Sequence, residues 1–369
     1  MSEGTPVPGG LRMPAEWEPH EGTWLQWPHE DTFPGSQLKL EKTWLAMLRA
    51  LRERERVHVA LPDARRQDHL RHLLEFFRLE SENIDLQIIP TNDVWVRDNG
   101  PIFVVDEEGR PAVTHWRFNG WGGRFRHDLD ARVPEIVADR LGMRCLDAPL
   151  VLEGGAIEVN GCGALLATRS SILNPNRNPG VTQEQVESIL ERYLGIGHVI
   201  WLSGAPDQVC EALGDTTDYH VDIAARFVGA STVLYTWTDD ESDPRHPYLK
   251  KHLEELRAAT DGSGRPLELI PLPTPQGGIY ATDPASVWGH GNGFTDAAYM
   301  NYYVANGVVL LPVFGNVRDE TARKIIGEHF PDREIIGIPA VSLTEDGGAM
   351  HCVTQQQPCG VGAARLETV

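Results

Sequence analysis

Near the carboxyl end of this chain a cysteine stands in the run Gly347-Gly348-Ala349-Met350-His351-Cys352-Val353-Thr354-Gln355-Gln356-Gln357-Pro358. A cysteine packed for structure alone does not need so polar and glycine-led a setting, and a thiolate is a strong carbon nucleophile. Far upstream, His220-Val221-Asp222 supplies a base and a carboxylate. Glu153-Gly154-Gly155 and Trp95-Val96-Arg97-Asp98-Asn99-Gly100-Pro101 supply further acids. Hydrolysis of an amide by a Cys–His pair needs one orienting group and leaves the extra carboxylates without a purpose. A planar cation such as a guanidinium does need them, because its N–H edges require anionic acceptors. Asp98 and Asp222 are the candidates for that grip.

The guanidinium carbon is a poor electrophile, since resonance spreads its charge over three nitrogens. A thiolate adds to it when the group is held in plane and a proton reaches the departing nitrogen. Cys352 is the expected nucleophile. Cys162 lies between two glycines, Cys145 and Cys210 sit near element ends, and Cys359 follows seven residues later. An imidazole titrates close enough to neutrality to give a proton and then take one from water, which suits His220. Two residues further on, Asp222 would share its face if the segment were a strand. Asp93 competes with Asp98, and the Asn99-Gly100-Pro101 sequence also fits an aspartate that merely caps a turn. A zinc site built from His220, Asp222, His351 and Cys352 lacks the compact ligand spacing of structural zinc motifs.

These segments resemble those of the agmatine deiminases, within the bacterial peptidylarginine-deiminase-like family of guanidine-modifying (pentein) enzymes. The resemblance runs through Met13-Pro14-Ala15-Glu16-Trp17-Glu18-Pro19-His20, residues 92–101, Phe118-Asn119-Gly120-Trp121-Gly122-Gly123 and Leu152-Glu153-Gly154-Gly155. It continues through Leu173-Asn174-Pro175-Asn176-Arg177-Asn178-Pro179, His220-Val221-Asp222, Trp237-Thr238-Asp239-Asp240-Glu241 and residues 351–358. It implies an α/β fold, a five-bladed pseudo-symmetric α/β propeller with mixed sheets and outer helices. It also implies hydrolysis of agmatine to N-carbamoylputrescine and ammonia through a covalent cysteine thiouronium intermediate, with no metal or organic cofactor. Carried over residue by residue, it makes Cys352, His220, Glu153, Asp98 and Asp222 catalytic, with Glu153 the partner of His220. Asp98 and Asp222 bind the guanidinium, and Trp95 and Trp121 line a substrate channel. The chain departs from the family pattern at Gly293 to Tyr302 and at Glu345 to Met350. A peptidylarginine or free-arginine deiminase is therefore the alternative, followed by an amidinotransferase and, in another class, a non-catalytic guanidinium-binding module.

The elements that must position these residues alternate. Val57–Ala60, Ile84–Ile89, Val94–Val105, Ser231–Trp237, Val308–Val313 and Ile335–Ile338 read as strands. Helices are expected near 38–52, 64–78, 128–141, 182–194, 247–259 and 319–329, with Thr182 and Gln185 forming a capping box. If the first helix is set aside, helix starts recur roughly every 54 to 72 residues, which allows five similar units or an ordinary doubly wound sheet. The whole chain, 1–369, is expected to be one catalytic domain, with 1–12 flexible. Residues 271–296, rich in glycine and proline, are a candidate covering loop.

Composition sets the outer bounds. A net charge of −20 disfavours nucleic acid and anionic membranes as partners; it would attract small cations but is explained first as a solubility device, so the small cationic guanidine substrate, agmatine favoured, is what the resemblance implies. Five scattered cysteines and the lack of any long apolar run predict a reduced, cytoplasmic protein, with a homo-oligomer left open as its assembly.

Overall fold

The computed structural model describes residues 10–35, 37–280 and 294–360. Five small sheets repeat one plan: a short strand pairs antiparallel with a second, and a helix then crosses to a third strand parallel to the second. The second sheet contains Ile102–Val105, Pro111–Arg117 and Cys145–Val151. The third contains Ile157–Val159, Ala164–Thr168 and His198–Leu202. Ala225–Phe227, Thr232–Trp237 and Glu268–Pro273 make the fourth, and Tyr303–Ala305, Val308–Val313 and Glu334–Pro339 the fifth.

The first sheet joins the two ends of the chain. Gln355–Pro358 pairs antiparallel with His20–Gln26, which runs parallel to Arg56–Leu61 and, through it, to Ile84–Ile88. These are the five blades of an α/β propeller. Parallel strands need a crossover, and their almost unbroken apolar runs are buried by the helices that supply it. The second strand of the fifth blade, Val308–Val313, is accordingly buried at every position but its last.

Gln37–Leu51 is the crossover helix of the first blade, so the helix set aside in counting repeats belongs to the repeat. The additional element is Ala64–Phe77, which leads to the extra strand Ile84–Ile88. The Thr182–Gln185 capping box forms. Val94–Val105 is not one strand: Val96–Asn99 makes a helical turn, and the strand starts only at Ile102. Pro101, lacking an N–H, suits the break between them.

Of the stretch expected to be flexible, residues 1–9 lie outside the described residues. Leu11 is buried and Arg12 bridges to Val105. Most of the candidate covering loop, 281–293, also lies outside them. None of the five cysteines is in a disulfide. Among the described residues no helix is long and apolar enough to cross a membrane.

Candidate active site

Each residue of the site comes from the segment that leads into the first strand of a blade. Asp98 precedes Ile102–Val105, Glu153 precedes Ile157–Val159, and Asp222 precedes Ala225–Phe227. Asn301 precedes Tyr303–Ala305 and Cys352 precedes Gln355–Pro358. Five repeats therefore deliver five side chains to one place, although the residues span most of the sequence.

Gly155 marks the centre of that place. A β-carbon there would lie 2.6 Å from His220 Nδ1, 2.8 Å from Asp98 Oδ1 and 3.1 Å from Asp222 Oδ2. Any side chain would displace those groups, and the Gly155 N–H also donates to Asp98 Oδ1 at 3.0 Å. The Cys352 sulfur is 3.8 Å from Asp222 Oδ2, and Asn301 Nδ2 donates to both, at 3.2 Å and 3.1 Å. The Asn301 side-chain oxygen accepts from the backbone N–H groups of His351 and Cys352. Asn301 thus fixes the nucleophile's turn and one guanidinium-binding candidate together. Its amide side chain carried no spacing signal in the sequence.

His220 lies between two acids, 3.7 Å from Asp98 Oδ1 and 3.5 Å from Glu153 Oε2. These distances mark ion pairs rather than short hydrogen bonds. Burial lowers the imidazolium pKa, but Asp98 and Glu153 outweigh it and raise the value to about 9. Glu153 is held in turn by Arg177 Nε at 2.7 Å, and that buried arginine keeps the carboxyl below its ordinary range against its own desolvation.

His220 is not on a strand. It immediately precedes the 3-10 turn Val221–Ile223, so the same-face argument for His220 and Asp222 does not apply. The turn itself brings both to the cavity. Just before it, Asp218 and Tyr219 take positive φ angles of 59° and 68°, which are costly for side chains of this size. Arg124, Asn176 and Arg177 all bond the Asp218 carboxylate, and Asp215 Oδ2 accepts from Tyr219 N, so the strained segment is held from several sides.

Burial pushes the Cys352 thiol up, and Asp222 and Asp98 push it further. Asp98 is also raised by desolvation, with Asp222 and Glu153 adding to it against His220. Burial would raise Asp222 as well, but His351 Nδ1 at 2.8 Å brings it below its ordinary value. His351 Nε2 faces Glu16 Oε2 at 2.9 Å. His351 therefore bridges the Asp222 and Glu16 carboxylates through its two ring nitrogens, and Glu16 belongs to an amino-terminal motif that carried no site role above.

The two tryptophans differ. Trp121 Nε1 donates to Asp98 Oδ2 at 2.9 Å, so it orients that acid. The Trp95 ring covers Gly348, whose β-carbon would come within 2.5 Å of it. Neither is among the residues lining the cavity beside Cys352, His220 and Asp222. Asp93, the competitor of Asp98, is buried near Asp130, with its carboxyl raised well above the ordinary range by desolvation and then by Asp130. Neither Asp93 nor Asp98 is among the residues lining the cavity, but Asp98 reaches the space at Gly155. Among the described residues, no group of three or more His, Cys, Asp or Glu side chains is arranged to hold a metal ion.

A model of the Porphyromonas-type peptidyl-arginine deiminase family matches residues 12–358. The chain belongs to that family. A relative from Selenomonas ruminantium, named a candidate agmatine deiminase, is 35% identical, with 97% of this chain and 98% of the relative covered. The agmatine deiminase of Enterococcus faecalis, solved catalysing its reaction, superimposes with a TM-score of 0.85 at 28% identity, covering 97% of this chain and 98% of that one. A C. jejuni agmatine deiminase with substrate bound gives a TM-score of 0.81 at 27% identity over 95% of this chain and 97% of the other. Members of this family share the α/β propeller described above, and membership makes the chain a hydrolase of C–N bonds in linear amidines.

Proposed function

We propose that this chain is an agmatine deiminase, hydrolysing agmatine to N-carbamoylputrescine and ammonia, with residues 1–369 acting as one catalytic unit. One observation carries the reading: a thiol, an imidazole raised towards a cation and two further carboxylates surround the space that Gly155 leaves open. Similarity to the E. faecalis and C. jejuni enzymes supports agmatine as the substrate.

Before substrate enters, burial and the surrounding carboxylates disfavour a further anion and keep Cys352 a thiol. A guanidinium seated between Asp98 and Asp222 reverses that field and favours the thiolate, with the thiol proton leaving to solvent. Sulfur then bonds to the guanidinium carbon. His220, held protonated by Asp98 and Glu153, gives its proton to the nitrogen that departs as ammonia. The resulting S-linked thiouronium is attacked by water, one proton of which returns to the now neutral His220; as the carbon–sulfur bond breaks, the remaining hydroxyl proton of the adduct passes to the departing sulfur, so the ureido carbonyl forms and Cys352 returns to the thiol. Overall one water is consumed and one ammonia is released.

The test is a panel of agmatine, free arginine and a peptide arginine, assayed for ammonia and for the ureido product. The expected order places agmatine first in kcat/KM. A larger value for arginine or for the peptide would move the protein to the corresponding branch and leave guanidine deimination intact. Release of ammonia without a ureido product would exclude hydrolysis at the guanidine carbon.

A further inference from the structure

The guanidinium-binding acids cannot tell agmatine from arginine, because both substrates present the same group. Discrimination must come from the rest of the cavity. Besides His220, Asp222 and Cys352, the cavity is lined by Asp215 and Asp296, and no lysine or arginine is among its described lining residues. Away from His220, which is held between Asp98 and Glu153, an α-carboxylate entering this space would meet Asp215 and Asp296 and lose its hydration. An ammonium would meet acceptors.

The two acids are differently engaged. Asp215 is spent on its own turn: Oδ1 accepts from Thr217 N and Oγ1, and Oδ2 from Tyr219 N. Asp296 Oδ2 is buried and has no hydrogen-bond partner among the described residues. Its neighbour Arg245 approaches only to 3.9 Å of Oδ1, while Arg245 Nε and one terminal nitrogen are bonded to Asp243. A buried carboxylate oxygen without a donor is costly unless a ligand supplies one.

Building on the reading as an agmatine deiminase, we propose that Asp296 is the specificity-determining residue that receives the terminal ammonium of the substrate, so that the cavity selects a guanidine whose far end is a cation. The groups facing Asp296 agree with this. Arg245 and Asp243 approach from the start of helix His246–Ala258 and Asp215 and Asp222 from either side of Tyr219. Tyr219, Tyr248 and Cys210 also face it, and burial raises all three, so they stay neutral where the enzyme works. Desolvation, opposed by Arg245 and aided by the neighbouring aspartates, pushes the Asp296 carboxyl up to about 7.

The experiment compares agmatine with n-butylguanidine, which has a similar chain and an uncharged end. The ratio of their kcat/KM values cancels what Cys352, His220, Asp98 and Asp222 contribute to both. In wild-type enzyme the ratio should favour agmatine by about 10- to 100-fold. It should rise as pH increases through about 7, because the receptor becomes charged as Asp296 loses its proton. In Asp296→Asn the ratio should fall about tenfold or more and lose its pH dependence, with turnover of n-butylguanidine retained. A wild-type ratio near one, or flat with pH, overturns the assignment even if the variant does not fold. An unchanged ratio in Asp296→Asn overturns it while agmatine deimination stands. Wild-type enzyme that turns over neither guanidine overturns the functional reading, and this assignment with it.

Discussion

Two buried charge clusters meet at His351, and they solve the same electrostatic problem in opposite ways. In one, Glu16 accepts from Arg226 at 2.8 Å and from Val304 N through one oxygen, and from Arg97 at 3.1 Å and His351 at 2.9 Å through the other. Arg226 also bonds Glu158 and lies 4.4 Å from the centre of the Tyr302 ring. Burial opposes the Glu16 charge, yet Arg226, His351 and Arg97 hold its carboxyl well below the ordinary range. In the other cluster, around Cys352, the cavity lining carries acids and one histidine but no arginine or lysine among the described residues. The first cluster contains its own cations and is complete as folded. The second leaves a place for a cation to arrive. Buried carboxylates alone do not mark a binding site; the missing counter-charge does.

The largest effect that separates the clusters belongs to the nucleophile. Cys352→Ala should lower turnover by about 10⁴-fold or more while leaving the unfolding midpoint within the range of an ordinary small substitution. Ammonia release and thermal unfolding check the two halves. Easily measured turnover by this variant would remove Cys352 from the mechanism.

In the other cluster the effect should fall on stability. Arg226→Met leaves Glu16 and Glu158 buried beside each other without their shared cation, and should cost about 3–5 kcal/mol. Denaturant titration measures it. Loss of activity with unchanged stability would show that the clusters are not divided as described.

The smallest effect concerns His220, which borders both an acid of the grip and its own partner. Its raised pKa of about 9 places the loss of the imidazolium there, so the alkaline limb of kcat/KM should fall near that pH. Asp98→Asn removes the first-ranked source of that upward shift, so the limb should move to lower pH by about one unit. The same linkage acts on stability. His220 binds its proton more tightly folded than unfolded, so its contribution is complete below the ordinary histidine range and is lost as pH rises through about 9. A limb unmoved by Asp98→Asn would assign it to another group.

Much of this molecule is set by local sequence. The helices at 182–194 and 319–329 follow from apolar periodicity and, in the first, a capping box that satisfies its own backbone donors. Apolar, β-branched runs such as Val308–Val313 announce buried parallel strands. The chemical type of the site was legible too, because a cysteine among glycines and polar residues, a histidine and surplus carboxylates admit few reactions. Local pattern failed where a segment's partners lie elsewhere in the chain. Val94–Val105 has the composition of one strand, but Arg97 N bonds to Cys352 O and the chain turns there to present Asp98. Gln355–Pro358, entirely polar up to its proline, is a buried strand because the first strand of the chain pairs with it.

The set of helices, most of the buried strands and the kind of chemistry therefore follow from propensity, periodicity and the identities of side chains. Which charges are matched was decided only by the tertiary structure. Asn301 bridges Cys352 and Asp222, His351 joins Asp222 to Glu16, and Asp296 keeps an oxygen without a donor among the described residues. These pairings join residues from blades far apart in the chain, and an electrostatic interaction depends on distance and burial in the folded protein, neither of which spacing along the sequence records.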